Sequence, residues 1–233
     1  MRINVSDFKM FEKAPYDKPD AKTIIDLALK GVTEVEKTYG PVFTNKLINY
    51  ALQFISKKTG EISPPNIKTL EQLGEYLIQK TDKYPYTWCA ISYAQVKTES
   101  DLQGRTGAGT QVEVIGVGKK LAEGACARDK NVDIAGIALK FNQTMVALKV
   151  SPKEMGYLKD GNEAFYLLWK VCPTLDACRE ASKEKLLIRP NGKMRCSSGA
   201  TACRLFKLIT GCEWDYELEE FDKPYCAQKF LMV

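Results

Sequence analysis

The sequence predicts an α+β fold in which helices pack on an antiparallel sheet and the chain ends in a helix followed by a β-hairpin. Three segments with helical spacing of apolar residues come first along the 233-residue chain. The period then changes to that of strands, and the last part combines a helix with two alternating segments. We predict one domain, residues 21–233, preceded by an arm at 1–20.

Three helices are predicted near the start of the chain, since apolar residues recur there every three or four positions. The first is predicted over residues 21–38 and ends at Tyr39-Gly40-Pro41, because glycine commonly closes a helix and proline opens the next. The second and third helices are predicted over residues 41–58 and 69–80.

The middle of the chain is predicted to consist mainly of strands. Aromatic and β-branched residues are frequent between Trp88 and Val96, which is typical of a strand. The other elements predicted here are strands at 111–117, 132–139 and 144–150, a loop at 104–110 and a short helix at 119–130.

The C-terminal third has the clearest pattern. Trp214, Tyr216 and Leu218 alternate with acidic residues, as in a half-buried strand. We expect this strand, 214–221, to pair antiparallel with 225–233 across an Asp-Lys-Pro turn. The elements predicted before it are a strand at 164–171 and helices at 174–186 and 199–210.

Two residue counts and the charge limit the function. The absence of histidine excludes a Ser-His-Asp triad, a Cys-His pair and histidine-bound zinc or haem. Eight cysteines without a segment typical of a signal peptide predict free thiols in a reducing, cytoplasmic compartment. The net charge is only +5, without a basic stripe or a long apolar run, so we expect neither nucleic acid nor a membrane as partner. A homodimer is compatible with the sequence.

The glycines and cysteines form no standard motif. The glycines between residues 104 and 118 fit neither the phosphate loop nor the dinucleotide fingerprint, so a flexible turn or lid is the preferred interpretation. The spacings from Cys172 to Cys178 and from Cys196 to Cys203 are wider than in usual structural zinc sites. A metal site assembled from distant cysteines stays open, and so does the alternative that they are buried hydrophobes.

The tail of the chain resembles a known family. Residues 196–203, Cys-Ser-Ser-Gly-Ala-Thr-Ala-Cys, precede an apolar helix and then Asp215-Tyr-Glu-Leu-Glu-Glu-Phe-Asp-Lys-Pro-Tyr-Cys226. This tail resembles the end of the 4-vinyl reductase-type, or hydrocarbon-binding, small-molecule-binding domain. Val171-Cys172-Pro173 is similar to the thiazoline-carboxylate hydrolase-like family. The two resemblances together cover roughly residues 21–98 and 160–233.

The first resemblance implies binding of a small, largely apolar or aromatic ligand. In its zinc-containing members, three cysteines and a glutamate hold the metal. Cys196 and Cys226 match two of those cysteine positions, and Cys172, Cys178 and Cys212 are the candidates to join them. Zinc is the cofactor that such a site would hold.

A ligand pocket is expected between the helix at 41–58 and the sheet, because this helix is apolar over more than a narrow stripe. Its ligand-binding walls are predicted to include Phe54, Trp88, Tyr93 and Trp169, with the glycine-rich loop at its mouth. Each of these aromatic residues has the alternative of filling the core.

The alternative function is a cysteine-dependent hydrolase of a cyclic thiazoline or amide substrate, as the second resemblance implies. Cys172 is the candidate nucleophile, since it ends a strand and precedes a short helix, and a helix N-terminus can lower a thiol pKa. Without histidine, the base would be a carboxylate such as Asp176 or Glu180. A cysteine-ligated metal or redox protein is the third class.

Overall fold

The computed structural model describes residues 3–16, 18–62, 66–103, 133–150, 154–161, 164–170, 172–186, 196–220 and 225–233. These residues form two compact units. The helical unit consists of the described residues within Asp20–Val117 and Thr174–Lys193, and the sheet unit of those within Met1–Pro19, Gly118–Pro173 and Met194–Val233. The predicted fold class is confirmed, because helices accompany a five-stranded antiparallel sheet and the chain ends in a helix and a hairpin.

The described residues contain seven α-helices, five in the helical unit and two in the sheet unit. In chain order they are α1 (Ala21–Tyr39), α2 (Pro41–Thr59), α3 (Leu70–Gln79), α4 (Cys89–Gln103), α5 (Ile134–Ala147), α6 (Leu175–Lys183) and α7 (Ser197–Thr210). Helices α5 and α7 belong to the sheet unit.

The predictions for α1, α2 and α3 are confirmed, and local capping explains where these helices begin and end. The Asp20 carboxylate accepts hydrogen bonds from backbone N–H groups in the first turn of α1. Gly40, with φ of +72°, separates α1 from α2, a backbone conformation that glycine adopts without a Cβ penalty. Thr69 and Gln72 form a reciprocal capping box at the start of α3.

The predicted strand at 88–96 is wrong, because this segment belongs to α4. Helix α4 contacts α1, α2 and α6, so it is covered on several sides. Cys89, Ala90, Ile91, Tyr93 and Ala94 are all buried. The first two turns of α4 are apolar on nearly every side, so they show no polar face that reveals the helical period, and their aromatic and β-branched residues indicate a strand instead. The helix predicted at 174–186 is confirmed as α6.

The sheet has the strand order β1-β2-β3-β5-β4, and every described pair of neighbours is antiparallel. The predicted C-terminal hairpin is confirmed, with Trp214 opposite Met232, and so is the strand predicted at 164–171. The turn predicted at 221–224 lies outside the described residues. The strands are β1 (Lys9–Met10), β2 (Met155–Asp160), β3 (Ala164–Trp169), β4 (Trp214–Glu220) and β5 (Cys226–Met232).

Different elements cover the two faces of the sheet. On one face, Phe165 of β3 and Phe230 of β5 contact the ring of Phe206 from α7, and Trp169 contacts Phe141 from α5. On the other face, Phe8 of the N-terminal segment packs in a buried cluster with residues of β3 and β5. Because both faces are covered, the central strand β3 is buried along its whole length.

The predicted strands at 132–139 and 144–150 are wrong, because α5 runs through both segments. Asp133 caps this helix by accepting a hydrogen bond from the Gly136 N–H at 2.7 Å. Ile134, Ile137 and Phe141 then recur at helical spacing and are buried. The helix predicted at 199–210 is confirmed as α7.

Strands β1 and β2 were not predicted from the sequence. The arm predicted at 1–20 contributes β1, which pairs with β2 at the edge of the sheet. The loop, strand and helix predicted within 104–130 lie outside the described residues. None of the helices in the described part of the chain has both the length and the apolar character needed to cross a membrane.

Candidate functional site

The sheet unit carries an open groove of about 800 Å³, which we call the N-terminal groove. Its walls are residues 9–13 and Pro15 of the N-terminal segment, one face of α5, and Tyr157 of β2. All of these parts belong to the same compact unit. The groove is a site that the sequence analysis did not predict.

Helix α5 forms one wall because it has two apolar faces. One face carries Ile134, Ile137 and Phe141, which are buried in the sheet unit. The residues on the groove face recur every three or four positions, as one side of a helix requires. They are Ala135, Gly136, Leu139, Asn142, Gln143, Val146 and Ala147.

Pairing with β2 holds the N-terminal segment in place as the opposite wall. Lys9 and Met10 are in register with Tyr157 and Gly156. The Phe11 N–H then donates to the Met155 carbonyl at 2.9 Å, and the Phe11 ring stacks on Tyr157 with 5.4 Å between centroids.

Gly156 allows this close approach of the two strands. A Cβ atom at Gly156 would lie only 2.7 Å from Met10 Sδ and 3.1 Å from the Lys9 carbonyl oxygen. An ion pair between Lys13 and Glu154, 3.4 Å apart, joins the segment to the chain just before β2.

The groove is mainly apolar and contains one deeply buried polar side chain. Met10 and Leu139 are large apolar residues that stay 37% and 45% exposed beside it. Asn142, by contrast, is only 7% exposed. A concave apolar site with few polar groups is the usual character of small-molecule sites.

None of the predicted ligand-binding residues lines the N-terminal groove. Phe54, Trp88 and Tyr93 belong to the helical unit and are nearly fully buried, and the rings of Phe54 and Tyr93 lie 5.3 Å apart. Trp169 belongs to the sheet unit, where it is 1% exposed and packs edge-on against Phe141. The four residues occupy cores in the two units, and a ligand contact for any of them stays a prediction.

The predicted metal ligands are divided between the two units. Cys172, Cys196 and Cys226 are buried in the sheet unit, while Cys178 is in the helical unit and partly exposed. Among the residues that the structure describes, no three cysteine or acidic side chains come together as a metal site requires. Zinc bound by these cysteines stays a prediction.

Cys196 lies at the N-terminus of α7 among hydrogen-bond donors. Its Sγ accepts a hydrogen bond from Gln228 Nε2 at 3.1 Å, and its own N–H donates to the Tyr216 hydroxyl at 2.9 Å. Burial, and after it the Cys172 thiol, raises the pKa of Cys196 to about 12, although the N–H groups of Ser198 and Gly199 act in the opposite direction. The protonated thiol is therefore the stable form at neutral pH.

The predicted catalytic pair does not fall within one unit, because Cys172 belongs to the sheet unit and Asp176 to the helical unit. Asp176 accepts a hydrogen bond from the Tyr84 hydroxyl at 2.7 Å and lies 3.6 Å from Lys58. Burial is the largest cause that raises the pKa of Tyr84, so this hydroxyl remains a donor to the carboxylate. These contacts explain the position of Asp176 without a catalytic role, which stays a prediction.

Comparison with known proteins identifies no relative: no protein-family model, curated protein or solved structure matches the chain. The resemblance to the 4-vinyl reductase-type domain and to the thiazoline-carboxylate hydrolase-like proteins stays a prediction. A function can therefore be inferred only from the geometry of the described residues, which favours the N-terminal groove as the functional site.

Proposed function

We propose that the protein binds a small, largely apolar or aromatic molecule in the N-terminal groove. The observation that carries this proposal is the size and lining of the groove, about 800 Å³ between the N-terminal segment, α5 and Tyr157. Sites for small ligands typically measure roughly 300–1,000 Å³ and are lined mainly by apolar side chains. The groove has the volume and the chemistry of such a site.

Two features favour a binding site over a surface irregularity. Met10 and Leu139 keep large apolar side chains exposed at the groove, and covering them with an apolar ligand is favourable by about 25 cal/mol per Å². The walls also come from parts of the chain more than a hundred residues apart, joined by the pairing of β1 with β2. A ligand there would contact both walls at once.

The test is a titration with N-phenyl-1-naphthylamine, a neutral apolar dye whose fluorescence rises in apolar surroundings. The wild-type protein should bind the dye saturably. Ala135→Trp should weaken binding at least tenfold, because an indole at this partly buried wall position occupies the groove. Ala21→Trp, at a partly buried position of α1 in the helical unit, is the matched control and should bind as the wild type does.

Circular dichroism should show that both variants keep their helical content. The proposal fails if the wild type shows no saturable binding, or if folded Ala135→Trp protein binds the dye unchanged. Native mass spectrometry of the purified protein provides a second measurement, because it reports retained ligand, bound zinc and oligomeric state together.

A cytoplasmic location is part of this proposal. None of the seven cysteines among the described residues forms a disulfide, which supports a reducing compartment. Alkylation of intact cells before lysis, followed by peptide mass analysis, should show these cysteines in the reduced form. Disulfide-linked peptides in that sample would contradict the cytoplasmic assignment.

A further inference from the structure

Asn142 is the buried polar group of the N-terminal groove. It lies in the middle of α5, is 7% exposed, and forms part of the groove wall. Its side-chain amide makes no hydrogen bond with any residue that the structure describes, whereas the neighbouring Thr144 hydroxyl donates to the Lys140 carbonyl at 2.9 Å. Asn142 is not among the described residues whose polar side-chain atoms are fully buried without a partner, so its amide atoms reach the open groove. A ligand in the groove can therefore replace water as the partner of this amide.

The chemistry of the amide limits what can pair with it. Asn142 offers one acceptor, Oδ1, and two hydrogens on one donor, Nδ2, in a single plane. A partner that satisfies both atoms must present a donor and an acceptor side by side on a planar edge. The remaining walls are mainly apolar, so the rest of that partner should be apolar or aromatic.

We propose that the ligand of the N-terminal groove carries a primary carboxamide or a lactam on an aromatic or apolar body, and that Asn142 pairs with both atoms of that edge. This inference rests on the proposed function of the groove. Asn142 then acts as the residue that determines specificity, while the apolar walls supply most of the affinity.

Two neighbouring ligand classes fit less well. A trans peptide bond directs its C=O and N–H to opposite sides, so a peptide main chain cannot pair with both atoms of one amide. A carboxylate has no donor at neutral pH and would leave Oδ1 of Asn142 unpaired. Lys9 and Lys13 also line the groove, but Lys13 pairs with Glu154 and Glu12 is another acidic neighbour, so positive charge does not dominate.

The experiment compares three ligands of similar shape by displacement of N-phenyl-1-naphthylamine. They are 2-naphthamide, 2-acetylnaphthalene, which has a methyl group in place of NH₂, and 2-naphthoate. The wild type should prefer 2-naphthamide over 2-acetylnaphthalene by about tenfold, as expected for the one hydrogen bond that the NH₂ group adds.

Asn142→Leu should abolish this preference and still bind 2-acetylnaphthalene, because leucine has a similar size and no polar atoms. Asn142→Asp keeps the shape and an acceptor for the ligand NH₂ but removes the donor to the ligand C=O, so this second variant should keep the preference for 2-naphthamide and bind 2-acetylnaphthalene more weakly than the wild type does. Asn49→Leu, at an exposed position of α2, is the control and should behave as the wild type does.

The wild-type comparison decides the inference even if neither variant folds. Equal binding of 2-naphthamide and 2-acetylnaphthalene overturns the role of Asn142 and leaves the proposed function intact. Tightest binding of 2-naphthoate also overturns it, and assigns recognition to the lysines. Failure of the dye and of all three ligands to bind overturns both proposals.

Discussion

Two opposing effects determine the chemistry of Cys196. A helix N-terminus stabilises a nearby negative charge by typically 0.3–1 kcal/mol, which lowers a thiol pKa by less than about one unit. Full burial can raise it by several units. Burial is the larger effect at Cys196, where it raises the pKa to about 12. The position of a cysteine at the start of a helix therefore does not predict a nucleophile unless the exposure of its thiol is known.

Alkylation tests this conclusion at the level of single residues. In native protein treated with iodoacetamide at pH 8, Cys196 should remain unmodified, because both its burial and its raised pKa keep it as an inaccessible thiol. Cys178, Cys203 and Cys212 are partly exposed and should react first. Peptide mass analysis after different times gives the order, and protein unfolded in urea is the control in which all cysteines react. Cys196 as the fastest residue would contradict the prediction, whereas Cys172 as the single fast residue would support the cysteine-dependent alternative.

At the scale of elements, the sequence predicts the secondary structure of amphipathic segments well, and that of segments buried on all sides poorly. Helices α1 to α3 and the alternating strand β4 were predicted because each keeps one polar face or side. The start of α4 and most of α5 are predicted as strands because their apolar residues leave no continuous polar stripe there. The cap at Asp133, followed by Ile134, Ile137 and Phe141, is the local signal that could have identified α5.

The candidate site was harder to predict than the elements around it. Its walls depend on the pairing of β1, a strand of only two residues, with a strand far along the chain. No local pattern encodes that register. Asn142 lies between the strands predicted at 132–139 and 144–150, and its position inside a helix, facing a groove, emerges only from the assembled unit.

The cap of α5 provides a test at the scale of one element. Asp133→Ala removes the acceptor for the Gly136 N–H and should lower the free energy of unfolding by about 1 kcal/mol. Asp133→Ser keeps a capping oxygen and should lose much less. Urea denaturation followed by circular dichroism measures both variants. An alanine variant as stable as the serine variant would show that the cap does not stabilise α5.

At the scale of the whole molecule, neither unit is a continuous stretch of sequence. Helix α6 joins the helical unit although β3, which precedes it in the chain, belongs to the sheet unit. Side chains fix α6 to α2 and α4: Glu180 forms an ion pair with Lys57, and Glu184 accepts a hydrogen bond from the Tyr93 hydroxyl and pairs with Lys97. Cooperative unfolding should therefore follow the units rather than the order of the chain.

Hydrogen exchange on two matched variants tests whether the units unfold separately or as one predicted domain. Ile55 in α2 and Ile209 in α7 are both fully buried, and replacing either by valine costs about 1 kcal/mol. Ile55→Val should speed the slowest amide exchange in α2, α4 and α6 about fivefold. Exchange in β3 and β5 should keep its wild-type rate, because a mutation accelerates only the opening of the unit that it destabilises. Ile209→Val should have the reverse effect. If each variant instead accelerates exchange in all five elements equally, the chain unfolds as one cooperative domain, as the sequence predicts for residues 21–233.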